Sequence, residues 1–317
     1  VSTQDIVARF LGADGTFATG DFLVNTFTPG QQSDPDVAVL ADGTVVIVWT
    51  SAGQDGSMTG VFAQRLGADG QKLGGEIQVN QFKPYNQRTP VAVGLGEGRV
   101  AVGWISEQQR FYNSVDFYAR IYDADLTPQS SEFLVSGSTN MCANPALAPT
   151  SDGGLVAAWS ERDLGDRTSG WYVMARGLSG FGLAASTRNK ICATEEPGSR
   201  FAPQLATIGE TVLAVWTTAF DGNREGVGGR FLDANGSPVG DELRVNATTI
   251  SQQFEPTVAS DGSEGFLAVW SSFRGLEGGF DLMAQRYAAG VTLPAPDAPF
   301  MSALDSDSLM VSWPELA

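Results

Sequence analysis

The chain has 317 residues, 42% of them hydrophobic, and its 19 basic against 36 acidic side chains leave a net charge of −17. That is ample for a large core, while the acidic balance argues against a phosphate-binding face for nucleic acid and against docking on an anionic membrane. Histidine is absent, which excludes a histidine general base, a Ser-His-Asp triad and histidine-ligated zinc.

In chain order, residues 1–25 hold two apolar segments, DIVARFL and DFLVN. Residues 35–80 then read as four strands: PDVAVL, TVVIVWTS, GVFAQRL and EIQVN. Each is a short Val/Ile/Phe-rich run bounded by Gly, Asp or Asn, the signature of a strand. Asp42-Gly43 and Asp69-Gly70 supply the positive φ of tight hairpins. The rest of the chain repeats this unit. A tryptophan closes each second strand, at Trp49, Trp104, Trp159, Trp216 and Trp270, and the interval between successive ones is nearly constant. A proline precedes each tryptophan at an almost fixed distance, at Pro35, Pro90, Pro145, Pro203 and Pro256. An arginine marks the third strand at Arg9, Arg65, Arg120, Arg176, Arg230 and Arg286. The expected partners of these arginines are the fourth-strand acids Glu76, Glu132 and Glu242, or the repeat tryptophans.

Val45 to Trp49 are apolar on consecutive residues, so the strand must be covered on both faces. Four-stranded antiparallel units buried by their neighbours are propeller blades. The expected fold is therefore all-β, a five-bladed β-propeller over residues 1–292, with six blades or an open array as alternatives. No stretch has helical periodicity, and no apolar run reaches the roughly 18 residues of a membrane helix. No secretory leader is read in the chain. The last unit lacks a fourth strand, so residues 21–25 are expected to pair with the strand near 281–287 and close the ring.

Strand parity puts the long second-to-third loops and the inter-unit crossovers on one face, the candidate binding surface. Its candidate ligand residues are Gln32, Tyr85, Gln87, Tyr112, Trp171, Arg200, Phe201, Gln253 and Phe254, since sugar rings stack on aromatic faces and amides hydrogen-bond hydroxyls. The competing role for the glutamines is to fasten crossovers to backbone. An enzyme would need two facing carboxylates. Of the residues preceding the blade prolines (Asp34, Thr89, Asn144, Ala202 and Glu255), only Asp34 and Glu255 are acidic, and they are the alternative catalytic pair. No cofactor is expected. Calcium at Asp55, Asp163, Asp166 and Asp221 is the weaker alternative to solvated turns, because the ligand spacing of a calcium loop is missing. Cys142 and Cys192 fall in the same unit, and a disulfide between them is expected alongside the alternative of two buried thiols.

The repeat W-x-S, D-G, A-Q-R-[FY], D-x-x-G, G-x-E-F-x-V-N, best matched by Trp49 to Asn80, resembles units of large secreted or surface-attached bacterial proteins. That resemblance implies no single activity. LPAPDAP then reads as a linker, and FMSALDSDSLMVSW resembles the opening of a fibronectin type III domain, so residues 293–317 are expected to begin a second domain of a longer chain. The resulting expectation is a non-catalytic binding, adhesion or spacer module of an exported bacterial protein, secreted or at the cell surface. Its expected partner is a glycan, with a protein surface second. The rival is a glycoside-active enzyme using Asp34 and Glu255.

Overall fold

The computed structural model describes residues 4–288 apart from 13, 167, 193–197, 220–222 and 274–278, together with the backbone of 300–305 and 308–312. The linker at 293–299 lies outside the described residues. The fold is all-β. β1 (Val7–Ala8) and β2 (Phe22–Leu23) form an antiparallel pair. Four sheets of four antiparallel strands follow. Sheet 1 is β3 (Gln32–Val39), β4 (Val45–Ala52), β5 (Thr59–Leu66) and β6 (Lys72–Gln78). Sheet 2 is β7 (Gln87–Gly94), β8 (Val100–Glu107), β9 (Val115–Tyr122) and β10 (Phe133–Leu134). Sheet 3 is β11 (Met141–Pro149), β12 (Leu155–Arg162), β13 (Tyr172–Leu178) and β14 (Asn189–Lys190). Sheet 4 is β15 (Arg200–Ile208), β16 (Thr211–Thr218), β17 (Gly226–Leu232) and β18 (Pro238–Arg244). Sheet 5 has three strands, β19 (Gln253–Ser260), β20 (Gly265–Phe273) and β21 (Phe280–Ala288). A last antiparallel hairpin joins β22 (Phe300–Asp305) to β23 (Ser308–Ser312).

First strands pack on one another in series, β3 on β7, β7 on β11, β11 on β15 and β15 on β19. Fourth strands do not converge in this way, so the sheets radiate as the blades of a propeller do. Apolar side chains between consecutive sheets supply the cohesion. Val46 and Val48 of sheet 1 meet Trp104 and Val102 of sheet 2; Ala101 and Ile105 meet Trp159; Val156 and Ala158 meet Trp216; Leu213 and Val215 meet Trp270. Every one of these tryptophans faces the preceding sheet, and Trp49 faces Ile6 and Val24 of the β1–β2 segment. This explains the consecutive apolar run: β4, β8 and β12 are buried at seven successive positions. β20 instead alternates, with Leu267, Val269 and Phe273 only half-buried.

The turn chemistry matches the sequence. The Asp42 carboxylate accepts from the Thr44 N–H (2.9 Å) and hydroxyl (2.6 Å), with Gly43 at φ 80°. The arginine marker needs a correction. Arg9, Arg120 and Arg176 each donate to the carbonyl ten residues on, at Thr19, Ser130 and Ser186, and Arg230 does so to Gly240. In sheet 1 that bond is made by Gln64 to Gly74, so Arg65 stands one position late. The register confirms it: Ile47 faces Gln64, as Val102 faces Arg120 and Ala268 faces Gln285. Arg9 lies 3.8 Å from Asp21, the acid of its own fourth-type strand, but Arg120, Arg176 and Arg230 reach across to the preceding sheet instead. Arg120 reaches the Val79 carbonyl of sheet 1, Arg176 the Val135 carbonyl of sheet 2 and Arg230 the Ile191 carbonyl of sheet 3. Glu76 and Glu132 instead accept backbone N–H groups of the preceding unit, from Thr26 and Phe27 and from Gln81 and Phe82 respectively.

The expected closure is also corrected. Phe22–Leu23 pairs with Val7–Ala8, not with the strand at 281–287. The N-terminal segment therefore supplies a third-type and a fourth-type strand to each other, and among the described residues neither pairs with β21 of sheet 5.

Candidate functional site

The site is built on an irregularity shared by all five first strands. The ladder to the second strand slips between Ser33 and Asp36, Arg88 and Val91, Ala143 and Ala146, Phe201 and Gln204, and Phe254 and Thr257. Each slip contains the unit proline, which has no N–H to give the ladder. The residue before it is left-handed in every sheet: Asp34 (φ 51°), Thr89 (49°), Asn144 (49°), Ala202 (54°) and Glu255 (52°). A non-glycine residue there costs about 1–2 kcal/mol. In three sheets a hydroxyl of the preceding sheet compensates. The N–H of Thr89 donates to Thr50 Oγ1 (3.1 Å), that of Ala202 to Ser160 Oγ (2.9 Å) and that of Glu255 to Thr217 Oγ1 (3.1 Å). The strain thus belongs to the fold, and what varies is the side chain presented along the inner edge.

Asp34 and Glu255 are both exposed on this edge. β3 and β19 do not pack on each other as the other consecutive first strands do, so the structure does not set these two carboxylates on neighbouring strands. It does add a carboxylate that the sequence reading missed. Asp36, just past the slip on β3, is half-buried, and its Oδ2 accepts from the Ala92 N–H of sheet 2 at 2.8 Å. Burial pushes its pKa up, offset in part by the N–H groups of Ala92 and Val37. A signal was available: the equivalent positions hold Val91, Ala146, Gln204 and Thr257. Asp36 thus stands two residues from the exposed Asp34 on the same strand, a pair of carboxyl groups in unlike surroundings.

The proposed ligand residues divide into two groups. Gln32, Gln87, Gln253 and Arg200 are buried. The amide groups of Gln32, Gln87 and Gln253 donate to the carbonyls of Pro29, Pro84 and Ile250, and those of Gln87 and Gln253 accept from Asn80 and Asn246. The glutamines thus fasten the crossovers to backbone, the role weighed for them against ligand contact. Tyr85 and Tyr112 are exposed, the latter at 82%, whereas Trp171, Phe201 and Phe254 are half-buried. Phe254 meets Phe280 edge-on at 5.4 Å between centroids.

The aspartates weighed for calcium cap their own turns: Asp55 accepts from the Ser57 N–H, Asp163 from Gly165 and Asp166 from Thr168. Asp221 lies outside the described residues. Among the described residues, no three acidic or sulfur ligands cluster. The disulfide is corrected too: Cys142 and Cys192 are both free and buried. They lie on opposite faces of sheet 3, Cys142 in the cluster facing sheet 2 and Cys192 in the cluster facing sheet 4. Cys192 occupies the lock position held elsewhere by Asn25, Asn80 and Asn246, accepting from the Val173 N–H. Burial drives the Cys142 thiol up to about 12. Two further buried carboxylates are closed by partners: Asp116 by Arg110, and Glu161 by Arg188, Asn140, Tyr172 and the Trp159 indole.

No family model and no curated protein sequence matches the chain. Solved structures do. A protein of unknown function from Dyadobacter fermentans superposes with a TM-score of 0.59 at 15% identity, covering 88% of this chain and 82% of that one. An α-L-arabinanase from Penicillium chrysogenum, complexed with arabinobiose, gives 0.55 at 12% identity over 80% of each chain. The α-L-arabinofuranosidase Arb93A from Fusarium graminearum, complexed with an iminosugar inhibitor, gives 0.51 at 13% identity over 88% and 87%. These similarities establish a shared fold. They also overturn the expectation of a non-catalytic binding or spacer module, which rested on a repeat family without an assigned activity. Two of these three structures are of an α-L-arabinanase and an α-L-arabinofuranosidase.

Proposed function

We propose that the sheets are blades of a propeller, that sheets 1 to 5 account for five of them, and that the chain cleaves glycosidic bonds at the inner edge of those blades. The observation that carries this reading is the carboxylate group on the edge: Asp34 and Glu255 exposed at left-handed positions, and Asp36 half-buried with its pKa raised by burial. Asp36 is suited to protonate the leaving oxygen. Asp34 and Glu255 are the candidates for the second carboxylate, which activates water or attacks the sugar. The arabinose-directed relatives make arabinan-type polysaccharides the first substrate class to test, and Tyr85 and Tyr112 are exposed surfaces on which sugar rings would stack.

The test is release of reducing ends from arabinan, xylan and galactan, and of nitrophenol from aryl arabinofuranosides. Asp36→Asn is expected to lower kcat at least 100-fold with an unchanged circular dichroism spectrum, while Asp34→Asn and Glu255→Gln identify the second carboxylate. Turnover unaffected by all three substitutions, or no turnover of any glycoside, would refute the reading.

A further inference from the structure

The row of sheets has a gap, and the chain has one hairpin of the right pattern to fill it. β1–β2 is built as the outer half of a sheet. The Ile6 N–H donates to Asn25 Oδ1 at 2.8 Å, as the Val61 N–H does to Asn80 Oδ1 at 2.8 Å. Glu76 holds Thr26 and Phe27 as Glu132 holds Gln81 and Phe82. Ile6 and Val24 pack on Trp49 as one sheet packs on the next. Yet β1 pairs only with β2 among the described strands, and β1–β2 lacks the first and second strands that complete every other unit. Its outward side chains, Val7 and Leu23, are 60% and 43% exposed. At the other end of the row, the outward face of β20 is half-covered, and β19 does not pack on β3.

β22 and β23 carry the first-and-second-strand pattern. Phe300 pairs with Ser312, Met301 with Val311, Ser302 with Met310 and Ala303 with Leu309. In sheet 1 the pairs are Asp36 with Val48, Val37 with Ile47, Ala38 with Val46 and Val39 with Val45. One constant offset relates every residue number of the first set to its counterpart in the second. The same register, counted from the unit proline, recurs in β7–β8, β11–β12 and β19–β20. In the sequence, Pro299 precedes Trp313 by the spacing that separates Pro35 from Trp49, and Leu304 falls where Leu40 does.

We propose that β22–β23 supplies the first and second strands of a sixth sheet whose third and fourth strands are β1 and β2. The two ends of the chain then share one sheet, and that sheet stands between sheet 5 and sheet 1. An unpaired strand edge is left neither at β1 nor in the row of first strands. The register follows from the other sheets. The residue two before each repeat tryptophan faces the third-strand arginine or its glutamine substitute, as Val102 faces Arg120 and Ala157 faces Arg176. Val311 must therefore face Arg9, and Ser312 must face Ala8.

The experiment uses the full chain with cysteines placed at Ala8→Cys/Ser312→Cys and, separately, at Arg9→Cys/Val311→Cys. Neighbouring pairs alternate between the wide and narrow sites of an antiparallel ladder, so one of the two lies in the closer geometry. Mild oxidation is expected to give a quantitative intramolecular disulfide in at least one, read as the mass loss of two hydrogens and a mobility shift on non-reducing gels. The out-of-register pair Ala8→Cys/Met310→Cys is the control and is expected not to close. Hydrogen exchange on a chain lacking residues 299–317 supplies a readout free of cysteine. β1, β2 and β19 to β21 should lose protection while β7 to β13 keep theirs. No disulfide in either in-register pair, or unchanged protection at both ends after the deletion, would overturn the proposal and favour an independent fibronectin-like second domain.

Discussion

Replacing Arg120 by alanine tests whether the repeated third-strand arginine fastens one sheet to the next. Its Nε donates to the Ser130 carbonyl at 3.0 Å within sheet 2, and its Nη1 to the Val79 carbonyl of sheet 1 at 3.1 Å. A hydrogen bond from a charged donor contributes about 1.5–3 kcal/mol. The loss is smaller than the sum of two such bonds, because the Val79 carbonyl still accepts from the Tyr122 hydroxyl at 2.9 Å and is not orphaned. We therefore expect about 2–3 kcal/mol from urea unfolding, and a Tm lowered by roughly 3–4.5 °C for a chain of this size. Arg120→Gln separates the two bonds. Gln64 holds the equivalent place in sheet 1 and makes the within-sheet bond to Gly74 at 3.3 Å, so glutamine should restore about half the loss. A Tm unchanged by alanine, or a glutamine variant no better than alanine, would refute the reasoning.

Trp104 is fully buried between sheets 1 and 2, and Trp104→Ala is expected to cost about 3–5 kcal/mol in urea unfolding. Neither thiol should react with Ellman's reagent at pH 7 in the folded chain, because both are buried and burial raises both pKa values; two should react after unfolding in denaturant, with or without prior reduction. The folded pKa of Asp36 lies above the unfolded value, so the folded chain binds the proton more tightly and stability falls as pH rises through the interval between them. Asp36→Asn should accordingly be more stable than the wild type at pH 7, with the difference vanishing below about pH 3.8; a variant less stable at pH 7 would contradict the assignment.

Period, strand type and turn chemistry were legible because each is a local property. A proline and a tryptophan at a recurring separation fix the first hairpin, and an unbroken apolar run such as Val45 to Trp49 can only lie between two neighbours. What the sequence concealed depends on which side chains can substitute for one another. Gln64 makes the bond that an arginine makes in sheets 2 to 4, which hides the true marker position one residue before Arg65. Cys192 occupies an asparagine lock, which made two cysteines of one unit look like a bonded pair. Asp36 is the one acid at its place among the five first strands, but its contact with Ala92 across the sheet boundary is non-local and shows only in the fold. The pairing of β2 with β1 rather than β21 is non-local, and the likeness of DFLVN to EIQVN identified the strand type without its partner.

The central functional claim is that the inner-edge carboxylates hold and cleave a sugar. The most direct measurement is a crystal structure of the Asp36→Asn chain with an arabino-oligosaccharide, since that variant keeps the ligand intact. The account predicts a glycosidic oxygen within hydrogen-bond reach of residue 36, with Asp34 or Glu255 on the opposite side of the sugar. A ligand seated only on Tyr85 and Tyr112, with the inner edge empty, would contradict it.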